Sequence, residues 1–229
     1  SYYHHARGNP DKTGIVAREN SYHGSTYLCQ SVGKRNGDRV EEFRYKTDGI
    51  WHLTCPNPYR RPDHMSEEQF CDWLVAEFEA LIARVGADRI GGFIAEPIQA
   101  SGGIIVPPEG YLKRMWDICQ RHDILFIADE VMTALGRTGR MWGMEHWSVT
   151  PDIIALSKSL TGGYFPVAPV DHLGDLRDKM VVIVHRTTIE LDNDVTALNP
   201  SCRCRRTGAN VFHECSTGFL ISSGDHVGG

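Results

Sequence analysis

No apolar run in the 229 residues approaches the roughly 18 that a membrane-crossing helix needs. Positive charge is also scarce. Lys and Arg number 24 against 29 Asp and Glu, for a formal charge of −5. The short run Arg203–Arg206 is the one basic cluster. Such a chain is a poor match for a polyanion, so neither nucleic acid nor a membrane is an expected partner. Asn-x-Ser/Thr acceptors with an allowed middle residue are missing, and so is the Gly-x-x-x-x-Gly-Lys-Ser/Thr loop of P-loop NTPases. Ser1–Gly8 is polar and carries two histidines, which does not fit a secretory signal. The start at Ser1 rather than Met reads as the mark of a missing true N-terminus.

Cysteine is sparse and irregular. Seven residues, an odd number with scattered spacing, do not make a disulfide framework. Cys202 and Cys204, with His213 and Cys215 nearby, come closest to a metal-ligand set, but the usual C-x-x-C knuckle is absent and no metal is expected. Free thiols in a reducing compartment are the simpler reading, with the cytoplasm first and the mitochondrion as the alternative.

What is present is an alternation of helical and strand-like segments. Ser66 is an N-cap candidate, and Gln69 three residues on completes a capping-box signature. Phe70, Trp73, Leu74, Phe78, Leu81, Ile82 and Val85 then recur at helical spacing until Gly86. Ile90–Ala95 reads as a strand, Tyr111–His122 as a second helix, and Ile124–Ala128 and Ile153–Leu156 as buried strands of a parallel sheet. The pattern predicts an α/β layer with right-handed crossovers. Val32–Pro62, rich in Gly, Pro, Arg and Asn, reads as a long excursion with little core. Beyond about Val170 the pattern decays. Met180–Val184 could be a strand, whereas Thr187–Gly229 shows no sustained period.

Three places could carry chemistry. Asp129 follows directly on an apolar strand, where α/β folds place ligands. An acidic residue there is often only a solubilising cap. Followed by Glu130, it also resembles the magnesium-binding strand of P-loop NTPases, a reading that the missing phosphate loop disfavours. Lys158 lies just past the strand Ile153–Leu156 and before Thr161-Gly162-Gly163. A loop lysine is usually a solvated charge, but one at a strand end in a ligand site can become a nucleophilic amine. Tyr22-His23-Gly24 places an aromatic ring before a Gly-led helix start, where it could face a planar ligand or simply fill the core.

Together, and in this order, these runs resemble one family. Tyr22-His23-Gly24, Ile94-Ala95-Glu96-Pro97-Ile98, Asp129-Glu130-Val131, Gly136-Arg137-Thr138-Gly139, Pro151-Asp152, and Lys158 with Gly162-Gly163-Tyr164 are similar to the class III aminotransferases, which depend on pyridoxal phosphate (PLP). The resemblance covers roughly Ala6–Pro169, and Lys158 stands 29 residues beyond Asp129, as in the family. It implies a fragment of the large domain of a fold-type-I, aspartate-aminotransferase-like enzyme, with a mainly parallel sheet covered by helices. Residues 1–170 would be the PLP-binding part and 171–229 an atypical tail. Lys158 would be the Schiff-base lysine and proton carrier, and Asp129 would hold the proton on the pyridine nitrogen. Tyr22 and Val131 would pack on the two faces of the cofactor ring, with His23, Gly24 and Glu96 around it. Glu130 and Arg137 belong to the motif with either a structural or a catalytic part.

The implied reaction moves an amino group from an amine or ω-amino acid donor to a 2-oxo acid such as pyruvate, in a homodimer. The alternatives are a mutase or decarboxylase on the same site, or a truncated, non-catalytic fragment. Met132 stands where many relatives carry glutamine, and Ser101 where ornithine and γ-aminobutyrate enzymes carry a second glutamate. With Asn57-Pro58-Tyr59-Arg60-Arg61-Pro62, these choices resemble the ω-amino acid:pyruvate branch. The Gly-Ser phosphate segment upstream of the Tyr-His-Gly run and the later His-Gly-x-Thr-Tyr run are not found. The tail reads as if the coding frame changed after Val170.

Overall fold

In the computed structural model, residues 2–160 are described, together with the strand segments Val167–His172, Met180–Val184, Thr187–Glu190, Arg203–Thr207, Asn210–Glu214 and Leu220–Gly224. The chain divides into two units, Ser1–Ala155 and Leu156–Gly229.

The first unit is built on strands β1 (Gly14–Arg18), β2 (Ile50–Leu53), β3 (Ile90–Ala95), β4 (Leu125–Asp129) and β5 (Ile153–Ala155). They lie in the order β2-β1-β3-β4-β5, and every neighbouring pair is parallel. Helices α1 (Tyr2–Ala6), α2 (Tyr27–Val32), α3 (Glu67–Val85) and α4 (Tyr111–Arg121) complete it. The step from β1 to β2 runs one way along the sheet, and the step from β2 to β3 runs back past β1. With right-handed crossovers, α2 and α3 must then sit on opposite faces.

Packing agrees. Ile15 and Ala17 of β1 share one face with Ile94 of β3, and Val32 of α2 and Ile50 cluster there. Phe93, the alternate residue of β3, points the other way. Phe78 of α3 lies 5.2 Å from it and Phe126 of β4 lies 5.5 Å from it, ring centre to ring centre. This aromatic stack is the core between the sheet and the α3–α4 layer.

The long helix begins and ends as its sequence dictates. Ser66 accepts from the Gln69 amide while the Gln69 side chain accepts from the Ser66 amide. Gly86 closes the helix at φ 93°, in the left-handed region that glycine enters without cost. At the other end of the layer, the buried Lys12 ammonium donates to the carbonyls of His122 (3.0 Å) and Asp123 (2.5 Å), where α4 leaves its last acceptors unpaired.

Four expectations need correction. The Val32–Pro62 excursion contains β2, whose Ile50 and Leu53 are buried in the sheet. Its composition hid a short edge strand that gains its stability from pairing with β1. The helix after Tyr22 starts not at Gly24 but at Tyr27, with Thr26 as N-cap. The fourth strand is shifted by one residue, so that Asp129 is its last member and not the residue after it. The described parts of the tail are strands, where no sustained period was expected. Strands β6 (Val167–His172), β7 (Met180–Val184) and β8 (Thr187–Glu190) pair antiparallel, and so do β9 (Arg203–Thr207), β10 (Asn210–Glu214) and β11 (Leu220–Gly224). Met180–Val184 is a strand, as its sequence indicated. Cys204 and His213 are Cα partners across β9 and β10, while Cys202 and Cys215 lie outside the described residues.

Candidate active site

The order of strands reverses between β1 and β3, and the chain segments leaving their carboxyl ends part there. Such a switch point is where open α/β sheets form a ligand crevice. Tyr22 and His23 come from the segment after β1, Glu96 follows β3, and Asp129 ends β4.

Side chains connect these ends. The Tyr22 amide donates to Glu96 Oε1 at 3.3 Å. His23 Nδ1 donates to Asp129 Oδ2 at 2.7 Å, and the Val131 amide donates to Asp129 Oδ1 at 3.2 Å. The side chains of His23 and Asp129 are only 3% and 8% exposed, so the pair is shielded from water. Burial pushes the Glu96 carboxyl above its ordinary range; Arg18 and His23 oppose that shift, and Asp129 adds to it. Gly24 has φ 118°, a conformation that side chains resist, and this lets the backbone turn sharply after His23. Arg35 lies 4.8 Å from the Tyr22 ring centre, as a cation–π partner.

Glu130 is a clamp. Its buried carboxylate accepts from Thr133 Oγ1 (2.5 Å), the Gly143 amide (2.9 Å) and the Met144 amide (2.8 Å). All these partners belong to the loop between β4 and β5, and they fix its path. Asp152 does similar work at the start of β5, accepting from the Phe126 amide at 2.7 Å. Arg137 sits exposed in a tight turn flanked by Gly136 (φ 85°) and Gly139 (φ 86°).

Lys158 follows β5 by three residues, belongs to the second unit, and lies within the turn closed by the Leu160 amide on the Ser157 carbonyl (2.7 Å). Thr161-Gly162-Gly163 lies outside the described residues. The structure thus links Tyr22 to Glu96, and His23 and Val131 to Asp129, in the first unit, with Gly24 next to His23, and Lys158 belongs to the second. Ala155, the last residue of β5, is the Cα partner of Asp129.

Sequence reasoning missed Arg18, which is wholly buried beneath Glu96, and Gln99, which donates to the Glu19 carbonyl at 3.0 Å. A lone charge inside Gly14–Arg18 was the available signal for the first. It carries no weight until that segment is recognised as a strand.

The family model for class-III aminotransferases matches residues 1–188. The chain belongs to the class-III aminotransferases. It is 37% identical over 185 residues to a putrescine–pyruvate aminotransferase of Pseudomonas aeruginosa, covering 81% of this chain and 40% of that one. It is 38% identical over 172 residues to the mitochondrial γ-aminobutyrate transaminase 1 of Oryza sativa subsp. indica, covering 74% of this chain and 33% of the rice protein. Among solved structures, it resembles the ω-transaminase of Pseudomonas jessenii in complex with PMP. The TM-score is 0.73 at 38% identity, over 76% of this chain and 38% of that one. The chain therefore spans between a third and two-fifths of the length of these class-III relatives. The α/β fold with its parallel sheet is the one that family membership implies.

Proposed function

We propose that this class-III chain holds pyridoxal phosphate and takes part in transamination, from an amine or ω-amino acid to a 2-oxo acid such as pyruvate. The observation that carries the reading is the buried Asp129 carboxylate at the end of β4, with His23 against one oxygen and the Val131 amide on the other. A protonated pyridine nitrogen needs such an anion in a dry place, and a carboxylate has acceptor capacity beyond the two bonds already made. His23 Nε2 is also buried without a protein partner, so the crevice keeps polar capacity for a ligand.

When bound, pyridoxal phosphate supplies an aldehyde that exchanges with amines and a ring that withdraws charge from the carbon losing its proton. Asp129 would hold a proton on the ring nitrogen, and His23 orients Asp129. Tyr22 and Val131 offer packing surface to the ring, and Glu96 steadies the Tyr22 backbone. Lys158 is the residue that would hold the cofactor's aldehyde end and whose amine would carry the substrate Cα proton. Residues 1–170 are the cofactor-binding part in this reading and 171–229 the tail. The family match reaches 188, so the boundary is to be sought between 170 and 188.

A second copy of the chain is the proposed partner. Tyr59, Ile104 and Val106 expose apolar surface along one groove, and sedimentation of the purified chain tests this. The proposed compartment is reducing, the cytoplasm or the mitochondrion, since Cys29, Cys55, Cys71 and Cys119 are free thiols. Among the described residues, no helix is long and apolar enough to cross a membrane.

Absorbance tests the reaction. A violet band that forms on adding pyridoxal phosphate, bleaches with putrescine and returns with pyruvate is the expected result. A band that no amine bleaches contradicts transamination.

A further inference from the structure

The side chain of Arg18 ends β1 inside the protein, with no exposed surface. Its Nη2 donates to the Glu96 carbonyl at 2.6 Å, while Nε and Nη1 have no protein partner. The Tyr111 hydroxyl is buried in the same place, and burial raises its pKa against the pull of Arg18. A guanidinium stays charged at any ordinary pH, and a buried charge is costly unless an opposite charge answers it. The Glu96 side chain is the buried carboxyl at this place: Arg18 Nη2 grips the Glu96 carbonyl, and Glu96 follows β3, the strand next to β1, so the guanidinium acts on the carboxyl through space and not through an ion pair. The Tyr22 amide contacts the Glu96 carboxyl, and the charged or titratable groups that act on it through space are Arg18 from β1, His23 from the loop after it, Arg35 after α2, Cys55 after β2 and Asp129 from β4.

We propose that Arg18 is a positioning residue whose buried charge keeps Glu96 ionised, so that Glu96 holds the Tyr22–His23 turn against Asp129. This rests on the reading that the turn and Asp129 form the cofactor crevice. An ionised Glu96 Oε1 is a strong acceptor for the Tyr22 amide, and a protonated one is weaker. The guanidinium also pins the Glu96 backbone, so one residue fixes both the charge and the place of the carboxylate. Loss of the charge would loosen the turn, and with it the His23–Asp129 bond, without touching either residue.

The test is a pH titration of the Glu96 carboxyl by carbon NMR, on the 229-residue chain without cofactor. The resonance is identified by its loss in Glu96→Gln. Arg18→Lys keeps the charge and should leave the midpoint close to the parent's. Arg18→Gln keeps a donor for the Glu96 carbonyl but loses the charge, and should raise the midpoint by about one pH unit or more, tenfold in the ionisation constant. An unchanged midpoint in Arg18→Gln overturns the proposal. If Arg18→Gln does not fold, Arg18→Gln/Glu96→Gln decides: recovery of folding supports the charge coupling, and a double variant no better than the single one overturns it. Affinity for pyridoxal phosphate is measured in parallel between pH 6 and 8, and should weaken in Arg18→Gln as pH falls through its Glu96 midpoint. A parent that binds none refutes the cofactor reading, while a raised Glu96 midpoint still supports the Arg18–Glu96 coupling.

Discussion

His23 Nδ1 and Asp129 Oδ2 meet at 2.7 Å across 106 positions of sequence. One comes from the loop after β1 and the other from the end of β4, two strands away in the sheet. The imidazole has to donate from Nδ1, because a carboxylate only accepts, and this fixes its tautomer in the neutral form. A carboxylate held by an imidazole and a backbone amide keeps its orientation when the crevice fills, which is what a ring-nitrogen partner requires.

Asp129→Asn should leave the fold intact and cripple the chemistry. The amide keeps the shape but loses the charge. A drop of roughly 100-fold in the rate of amine-driven bleaching is expected, about 2.7 kcal/mol of transition-state stabilisation. Stopped-flow absorbance measures it, and an unchanged rate counts against the role of Asp129.

Glu130→Ala should destabilise the protein without bearing directly on the chemistry. Three donors, from Thr133, Gly143 and Met144, would lose their buried acceptor. A cost of about 3 kcal/mol is expected. For a chain of this size that lowers the melting temperature by about 6–12 °C. Glu130→Gln should keep part of the stability. A Glu130→Ala protein that melts like the parent contradicts the clamp.

The pH dependence of stability should carry the mark of two histidines. Burial lowers the pKa of both His4 and His52, opposed in each by a bond to a backbone carbonyl, Gly91 for His4 and Val32 for His52. The folded state then binds their protons less readily than the unfolded state. Their contribution is complete above the ordinary histidine value near 6.5 and is lost as pH falls below it. Glu77 and Glu96 act in the opposite sense. Burial raises both, so their contribution shrinks as pH rises from about 4.5. His52→Gln should therefore flatten the loss of stability between pH 7 and 5.5, as read by urea unfolding. An identical pH slope in the variant sinks this assignment.

Acceptor choice should follow Ser101. It lies in the loop closed by the Gln99–Ile105 bridge and carries no charge. In the proposed reaction Ser101 cannot play the part of the second glutamate that ornithine and γ-aminobutyrate enzymes carry there, so pyruvate is expected over 2-oxoglutarate. The rate at which each acid restores the violet band decides, and a faster return with 2-oxoglutarate overturns the expectation.

Sequence legibility tracked how local each signal was. The α3 boundaries follow from Ser66, Gln69 and Gly86, all adjacent to the helix they bound. Strand β3 and most of β4 were legible as short apolar runs, and Asp129 could be singled out because it closes one of them. Strands β1 and β2 were not legible. Gly14–Arg18 ends in an arginine, and Ile50–Leu53 contains Trp51 and His52, so neither reads as a plain buried strand. Both are stabilised by pairing with residues more than thirty positions away, which no local pattern records. Arg18 was invisible for the same reason. The clamp role of Glu130 also needed the fold, because Gly143 and Met144 lie 13 and 14 residues beyond it.

The most direct test of the account is to reduce the pyridoxal-phosphate-loaded chain with borohydride and map the label by peptide mass spectrometry. The label should sit on Lys158, and Asp129→Asn should not move it elsewhere. A label on Lys113 or another lysine, with Lys158 unmodified, would contradict the account.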